Sequence, residues 1–244
     1  TRRVALTPAG RTLLDEARVA LAVMRAVTRR TRRAARSTPT MIVTAKPGAT
    51  MSLLRRIVDS YRTLEDAQPV DIVVSGYGEQ TDMVRDGRAD VALVGMPFDE
   101  QGLDVEPLTT EPRVAALPAG HELAKDSEVC LRAFEGRPVP QWPEQSAFES
   151  DYWTGQDRRP AGGEPALPGP VVNDVGQLLE VVALGQAIAL IPQSLADGHP
   201  RRDVAYRPVA GASPYTTAAV WSEGSRSSHI ARFVKVAAEI AAQD

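Results

Sequence analysis

Few reactive side chains in this sequence stand where chemistry could join them. Cys130 is the single cysteine, and the three histidines, His121, His199 and His229, fall in unrelated segments. That spacing gives no metal-ligand set and no nucleophile with a base at hand. Neither a Gly-x-Ser-x-Gly elbow nor a phosphate-binding glycine loop occurs. The expectation is therefore no catalytic residues, no metal and no cofactor. Binding chemistry is better represented, in short loops that follow apolar, β-rich runs: Lys46-Pro47-Gly48-Ala49-Thr50, Gly76-Tyr77-Gly78, Gly95-Met96-Pro97, Gln141-Trp142-Pro143 and Asn173-Asp174. An open α/β sheet binds ligands beyond the carboxyl ends of its strands, where helix N-termini favour acids. Lys46 is the sole lysine near these loops, and Tyr77 and Trp142 would suit a planar ring. The expected ligand is a small, anionic molecule, an organic acid. Each residue also has a plainer reading: Thr50 as a helix cap, Tyr77 and Trp142 as packing aromatics, Asn173 as a loop tie and Lys46 as a solvated charge.

The elements that must position these loops follow from periodicity. Pro8 to Arg36 has no internal proline and is dominated by alanine, leucine and arginine, all good helix formers. Thr7 is placed to N-cap it, with Pro8 at the first helical position. Leu14, Ala17, Leu21, Met24 and Thr28 step by three and four, with Leu13, Ala20 and Val27 beside them, a coiled-coil-like stripe that wants a partner helix. The alternative is a helix folded back on its own domain. Arg2 to Leu6 reads as a short β-like run, and Ser37-Thr38-Pro39-Thr40 as a linker. Strands are predicted over 41–45, 70–75, 90–94, 113–117, 171–173, 187–191, 204–209 and 216–221. Helical stripes run through Met51, Leu54, Ile57, Val58 and Tyr61, through Met83 and Val84, over 175–184, and from Ser227 to Ala242. A helix and a strand are expected within 131–142. Residues 102–108 read as a connector and 155–170, rich in Gly and Pro, as an exposed loop. Alternating strands and helices imply a mostly parallel sheet covered by helices.

Composition sets the outer limits. With 244 residues, 43% apolar and 24% charged, the chain is an ordinary globular sequence long enough for two core units. No apolar run approaches a membrane span and no secretory signal opens it, so a cytoplasmic protein is expected. The net charge of −3 conceals an asymmetry. Residues 1–36 hold ten arginines against Asp15 and Glu16, a local +8 that leaves −11 on the remainder. A polyanion-facing arm on a small-molecule domain would show this, as would a solvated arginine-rich helix.

Several segments in order resemble the LysR-type transcriptional regulators. Leu6-Thr-Pro-Ala-Gly10 is similar to that family's junction between the DNA-binding wing and its long helix. Val84-Arg-Asp-Gly-Arg-Ala-Asp-Val-Ala-Leu-Val94 resembles its glycine–aspartate–hydrophobic run. Leu117-Pro-Ala-Gly-His-Glu-Leu-Ala124 resembles the segment past the first crossover, with Glu122 in place of a proline. Val171-Val-Asn-Asp-Val175 through Gly185-Gln-Ala-Ile-Ala-Leu-Ile-Pro192 resembles the helix-and-strand unit late in the second subdomain, with Ala187 where a glycine is usual. The resemblance implies a type 2 periplasmic-binding-protein architecture: two Rossmann-like α/β subdomains joined by two crossover strands that act as a hinge, preceded by a long linker helix. On that plan 1–6 is the remnant of the DNA-binding wing and 7–37 the linker and dimerisation helix. Subdomain I is then 41–112 with 210–244, and subdomain II is 113–209. It implies an effector between the subdomains, touched by Ala49, Thr50, Tyr77 and Asn173. It also implies DNA binding through a winged helix-turn-helix that this sequence lacks, with Arg2 and Arg3 on phosphate, and self-association as a homodimer or homotetramer through Leu14, Ala17, Leu21 and Met24. A solute-binding protein of a transporter would share the architecture and is the alternative function.

Overall fold

Thr7 starts the first helix as its side chain predicts: the hydroxyl accepts from the Gly10 N–H at 3.0 Å, with Pro8 in the first turn. A computed structural model describes residues 5–35, 39–158 and 163–243. Arg2, Arg3 and most of the expected 2–6 strand lie outside these residues, as do Ser37 and Thr38 of the linker. Ala5 and Leu6 are not in a strand. Helix α1 (Pro8–Ala34) is a rod of about 40 Å. Its final turns dock on the body of the protein.

The body has two α/β lobes, each with its own sheet. The first is built from β1 (Met41–Ala45), α2 (Ala49–Arg62), β2 (Val70–Val74), α3 (Glu79–Arg85), β3 (Val91–Gly95) and β4 (Leu103–Glu111), then β11 (Tyr215–Ser222) and α7 (Ser228–Ala241). Its strand order is β2-β1-β3-β11-β4, with β1, β2 and β3 parallel and β11 antiparallel to both its neighbours. Side chains alternate across the pleat. Val91 and Leu93 of β3 join the core under α2 and α7 with Leu54, Ile57, Tyr61 and Phe233, whereas Ala92 and Val94 face the α3 side with Met83 and Val84.

The chain crosses at Pro112 into β5 (Arg113–Pro118). β6 (Val129–Cys130), β7 (Pro138–Gln141), α4 (Ala147–Trp153), β8 (Leu167–Val171), α5 (Val175–Ala183), β9 (Ala189–Pro192), α6 (Gln193–Gly198) and β10 (Val204–Ala210) follow. β10 returns through residues 211–214 to β11. The second sheet runs β6-β10-β5-β9, and β7 pairs with β8 alone. β5 alternates in the same way, Val114 and Ala116 toward α5 and α6, Ala115 and Leu117 toward Phe134 and Val139.

Several expectations need correction. Residues 103–111 form a strand rather than a connector; Pro107 fits because β4 is the sheet edge, where a missing N–H costs little. The supposed 155–170 loop carries a 3-10 turn (Gln156–Arg158) and the start of β8, which ends at Val171 rather than beginning there. The helix expected within 131–142 is a single 3-10 turn, Leu131–Phe134. α4 and α6 were not expected at all. The second sheet is mainly antiparallel, because β5 and β10 pair with each other along the two crossings. Among the described residues no helix is long and apolar enough to cross a membrane.

Candidate functional site

Both lobes send loops toward one point between them. Lys46 follows β1 and Tyr77 follows β2, at the carboxyl ends of parallel strands. Trp142 follows β7 and Asn173 precedes α5, from the second lobe. The Tyr77 and Trp142 rings stack across the cleft, centroids 4.3 Å apart and planes 5° from parallel. Trp153, the last residue of α4, donates its indole N–H to the Tyr77 hydroxyl at 3.0 Å.

Lys46 lies inside this aromatic group. Its Nζ is 4.6 Å from the Tyr77 centroid, 5.9 Å from Trp142 and 5.8 Å from Trp153. Among the described residues the ammonium has rings around it and no ion-pair partner. Burial lowers its pKa to about 8, against a smaller opposing pull from the charge of Glu149. Burial, and then Glu149, push the Tyr77 hydroxyl upward, so it stays neutral.

Behind the stack is a chamber of about 150 Å³, lined by Lys46, Pro47, Tyr77, Trp142, Asn173 and Asp174 among the expected residues, and by Leu178, Ile191, Leu195 and Tyr215. Its wall is mostly apolar. A second chamber, about 410 Å³, opens on the far side of Lys46, Tyr77 and Trp153 and includes Gly95. Gly95 also serves packing: a Cβ there would lie 2.0 Å from the Tyr215 hydroxyl, so only glycine lets that buried ring sit against β3. Met96 lines neither chamber. Thr50 is buried, and its hydroxyl donates to the Lys46 carbonyl at 3.2 Å, fixing the turn below the ammonium and facing neither chamber. Ala49 opens α2, and its side chain lies outside the described residues.

Asp174 caps α5 itself, accepting from the Gln177 N–H at 2.8 Å, while Asn173 donates to the Gln177 side chain. Positive charge at the chamber therefore comes from Lys46. Trp153 was missed because residues 143–154, just before the Gly/Pro-rich stretch, gave no periodicity. A signal was present: Ser146-Ala-Phe-Glu149 is a capping box, with both reciprocal bonds formed.

α1 docks at the other end of α3. Ala26 is buried against Gly87, whose φ is +74° and where a Cβ would lie 2.7 Å from the Ala26 Cα. Arg29 pairs with Asp86 at 3.0 Å, and Arg30 donates to the Val84 carbonyl at 3.3 Å. Arg33 reaches the Gly87 carbonyl at 2.7 Å and Asp90 at 2.6 Å. Arg29, Arg30 and Arg33 are thus held by carboxylates and carbonyls of the chain's own first lobe. Leu13, Leu14, Leu21, Met24 and Val27 stay exposed.

The LysR substrate binding domain model matches residues 34–242. The chain belongs to that family. It is 24% identical over 243 residues to the Hca operon transcriptional activator HcaR of Escherichia coli (strain K12), covering 98% of this chain and 80% of that protein. It is 27% identical over 198 residues to a "Probable hydrogen peroxide-inducible genes activator" of Mycobacterium avium, covering 80% of this chain and 62% of the relative. Among solved structures it resembles full-length BenM, with a TM-score of 0.68 at 21% identity over 97% of this chain and 78% of that one. It also resembles the BenM effector binding domain with its effector benzoate, with a TM-score of 0.66 at 20% identity over 85% and 94%. The architecture is type 2 periplasmic-binding-protein-like, and the chain is the effector-binding domain of a LysR-type regulator. The transporter alternative is not favoured by these relatives.

Proposed function

We propose that this domain senses a small organic anion in the cleft between its lobes, without transforming it, and reports occupancy to a DNA reader attached through α1 in a cytoplasmic transcriptional regulator. The observation that carries this is the half-buried Lys46 ammonium, ringed by Tyr77, Trp142 and Trp153 and, among the described residues, lacking an ion-pair partner. Such a cation gains most from a carboxylate delivered into low-dielectric surroundings. The stacked rings come from opposite lobes, so a planar ligand that enters between or beside them changes how the lobes meet. Regulation needs no more than a difference in affinity between two lobe arrangements. BenM, whose effector is benzoate, provides a ligand class to try. The division into linker 7–37, subdomain I at 41–112 with 210–244, and subdomain II at 113–209 belongs to this proposal, as does pairing of α1 with a second copy through its exposed stripe.

A thermal-shift titration with benzoate, phenylacetate, aliphatic acids, sugars and amino acids tests it. At a hundred-fold excess over Kd, an acid should raise Tm by roughly 5–10 °C. The rise should vanish in Lys46→Met and Tyr77→Ala. Absence of any acid-dependent shift, or an unchanged shift in Lys46→Met, would remove the reading.

A further inference from the structure

Trp153 stands where the two chambers meet. It lines both, together with Lys46 and Tyr77, and among the described residues it is the second-lobe side chain common to the walls of the apolar 150 Å³ chamber and the 410 Å³ one. The two spaces differ in chemistry. The smaller is walled by Leu178, Ile191, Leu195 and the aromatic rings. The larger holds Glu79, Asp82, Asp99, Glu144 and Glu149, of which Asp82 and Asp99 are paired with Arg85.

We propose, on the reading of the cleft given above, that Trp153 is the specificity-determining residue of this site: it restricts the effector to one ring with one negative charge. A cavity of this size accommodates a benzene ring. A second fused ring would have to occupy the volume of the Trp153 indole. A second carboxylate that passed the indole would meet Glu79, Glu144 and Glu149, with Lys46 the one cation among the described lining residues.

A wall sets specificity only if it holds still, and a buried cation holds this one. Arg113, at the start of the crossover strand, has a fully buried side chain. Its Nη1 donates to the Tyr152 carbonyl at 2.6 Å and its Nε to the Ser213 carbonyl at 2.6 Å. The guanidinium carbon lies 3.7 Å over the Tyr152 ring. The Tyr152 hydroxyl donates to the Pro214 carbonyl at 2.9 Å, and Ser213 bonds Asp157. The last turn of α4 is thereby fastened to both chain crossings. Displacing the last turn of α4 would break bonds to a buried guanidinium, and turning the indole alone would break its 3.0 Å bond to the Tyr77 hydroxyl.

The test uses the whole chain and calorimetric Kd values for three probes: benzoate, 2-naphthoate (same charge, second ring) and terephthalate (one ring, second charge). The intact protein should bind 2-naphthoate and terephthalate at least tenfold more weakly than benzoate. Trp153→Ala should reverse the naphthoate preference while terephthalate stays weak. Trp153→Leu, a milder truncation, should move the ratio in the same direction if the alanine variant folds poorly. Comparable binding of benzoate and 2-naphthoate by the intact protein would overturn the inference while leaving the acid-sensing reading intact. An unchanged ratio in a Trp153 variant that still binds benzoate would do the same. Failure of the intact protein to bind any acid would remove both.

Discussion

Lys46 gives the cleft a pH response whose sign can be worked out. Its pKa in the ligand-free protein is lowered to about 8 by burial, with the Glu149 charge pulling the other way. A bound anion favours the ammonium and must raise that pKa. By linkage, affinity is steady below pH 8 and falls as pH climbs past it, until the pKa of the complex is reached. The other titratable groups facing the ammonium are Tyr77, held neutral by burial, and Glu149. Benzoate Kd values measured from pH 6.5 to 9.5 should therefore rise several-fold above pH 8. Lys46→Met should bind weakly at every pH with a flat profile, and a sloping profile in that variant would assign the effect elsewhere. Lys46, Tyr77, Trp142 and Asn173 were candidates in the sequence because each stands at or just past the end of a predicted strand, where an open α/β sheet binds its ligands. Thr50 shows the limit of that reasoning: the loop was read correctly, but which way a hydroxyl turns depends on whether the turn below needs it, and the Lys46 carbonyl does.

At the scale of elements, α3 joins the cleft to the linker helix. Gln80, buried in its first turn, donates to Ser75 Oγ at 2.8 Å and to the Gly76 carbonyl at 2.6 Å, which fastens the Tyr77 loop to the helix. The far end receives α1 through Arg29, Arg30 and Arg33. Gly87→Ala should push α1 away, since the new methyl would collide with Ala26 and the backbone there has positive φ. Hydrogen exchange should show amides 26–34 exchanging at least tenfold faster, with β5 and β10 unchanged. Unaltered exchange at 26–34 would mean that α1 is held by something other than this contact. The start of α1 was readable from Thr7 and Pro8 because capping is local. Its docking was not, because the acceptors lie more than fifty residues away in sequence, and neither an arginine nor a carbonyl declares its partner. β4 was lost for a related reason: Pro107 suggests a break in a strand unless the strand is known to be an edge.

For the whole molecule, the proposed pairing of α1 makes its exposed stripe the determinant of association. Leu21 and Met24 remain 55% and 67% exposed, and a contiguous apolar patch of this kind marks an interaction surface. Sedimentation should find the intact chain associated at micromolar concentration. Leu21→Asp with Met24→Asp should give monomers whose Tm for the two lobes is unchanged, and an unaltered oligomer would place the contact elsewhere. The two-lobed plan was legible from the order of motifs along the chain. The antiparallel character of the second sheet was not, because it arises from β5 and β10 meeting across almost ninety residues, and strand direction leaves no local trace in composition.

Two of the three tryptophans, Trp142 and Trp153, stand within 6 Å of the same ammonium, while the third, Trp221, packs on the first-lobe core. Indole emission shifts with the electric field across the ring. Two of the protein's three indole emitters therefore lie beside the charge that an arriving anion would neutralise, and the cleft carries its own optical gauge, readable without a label.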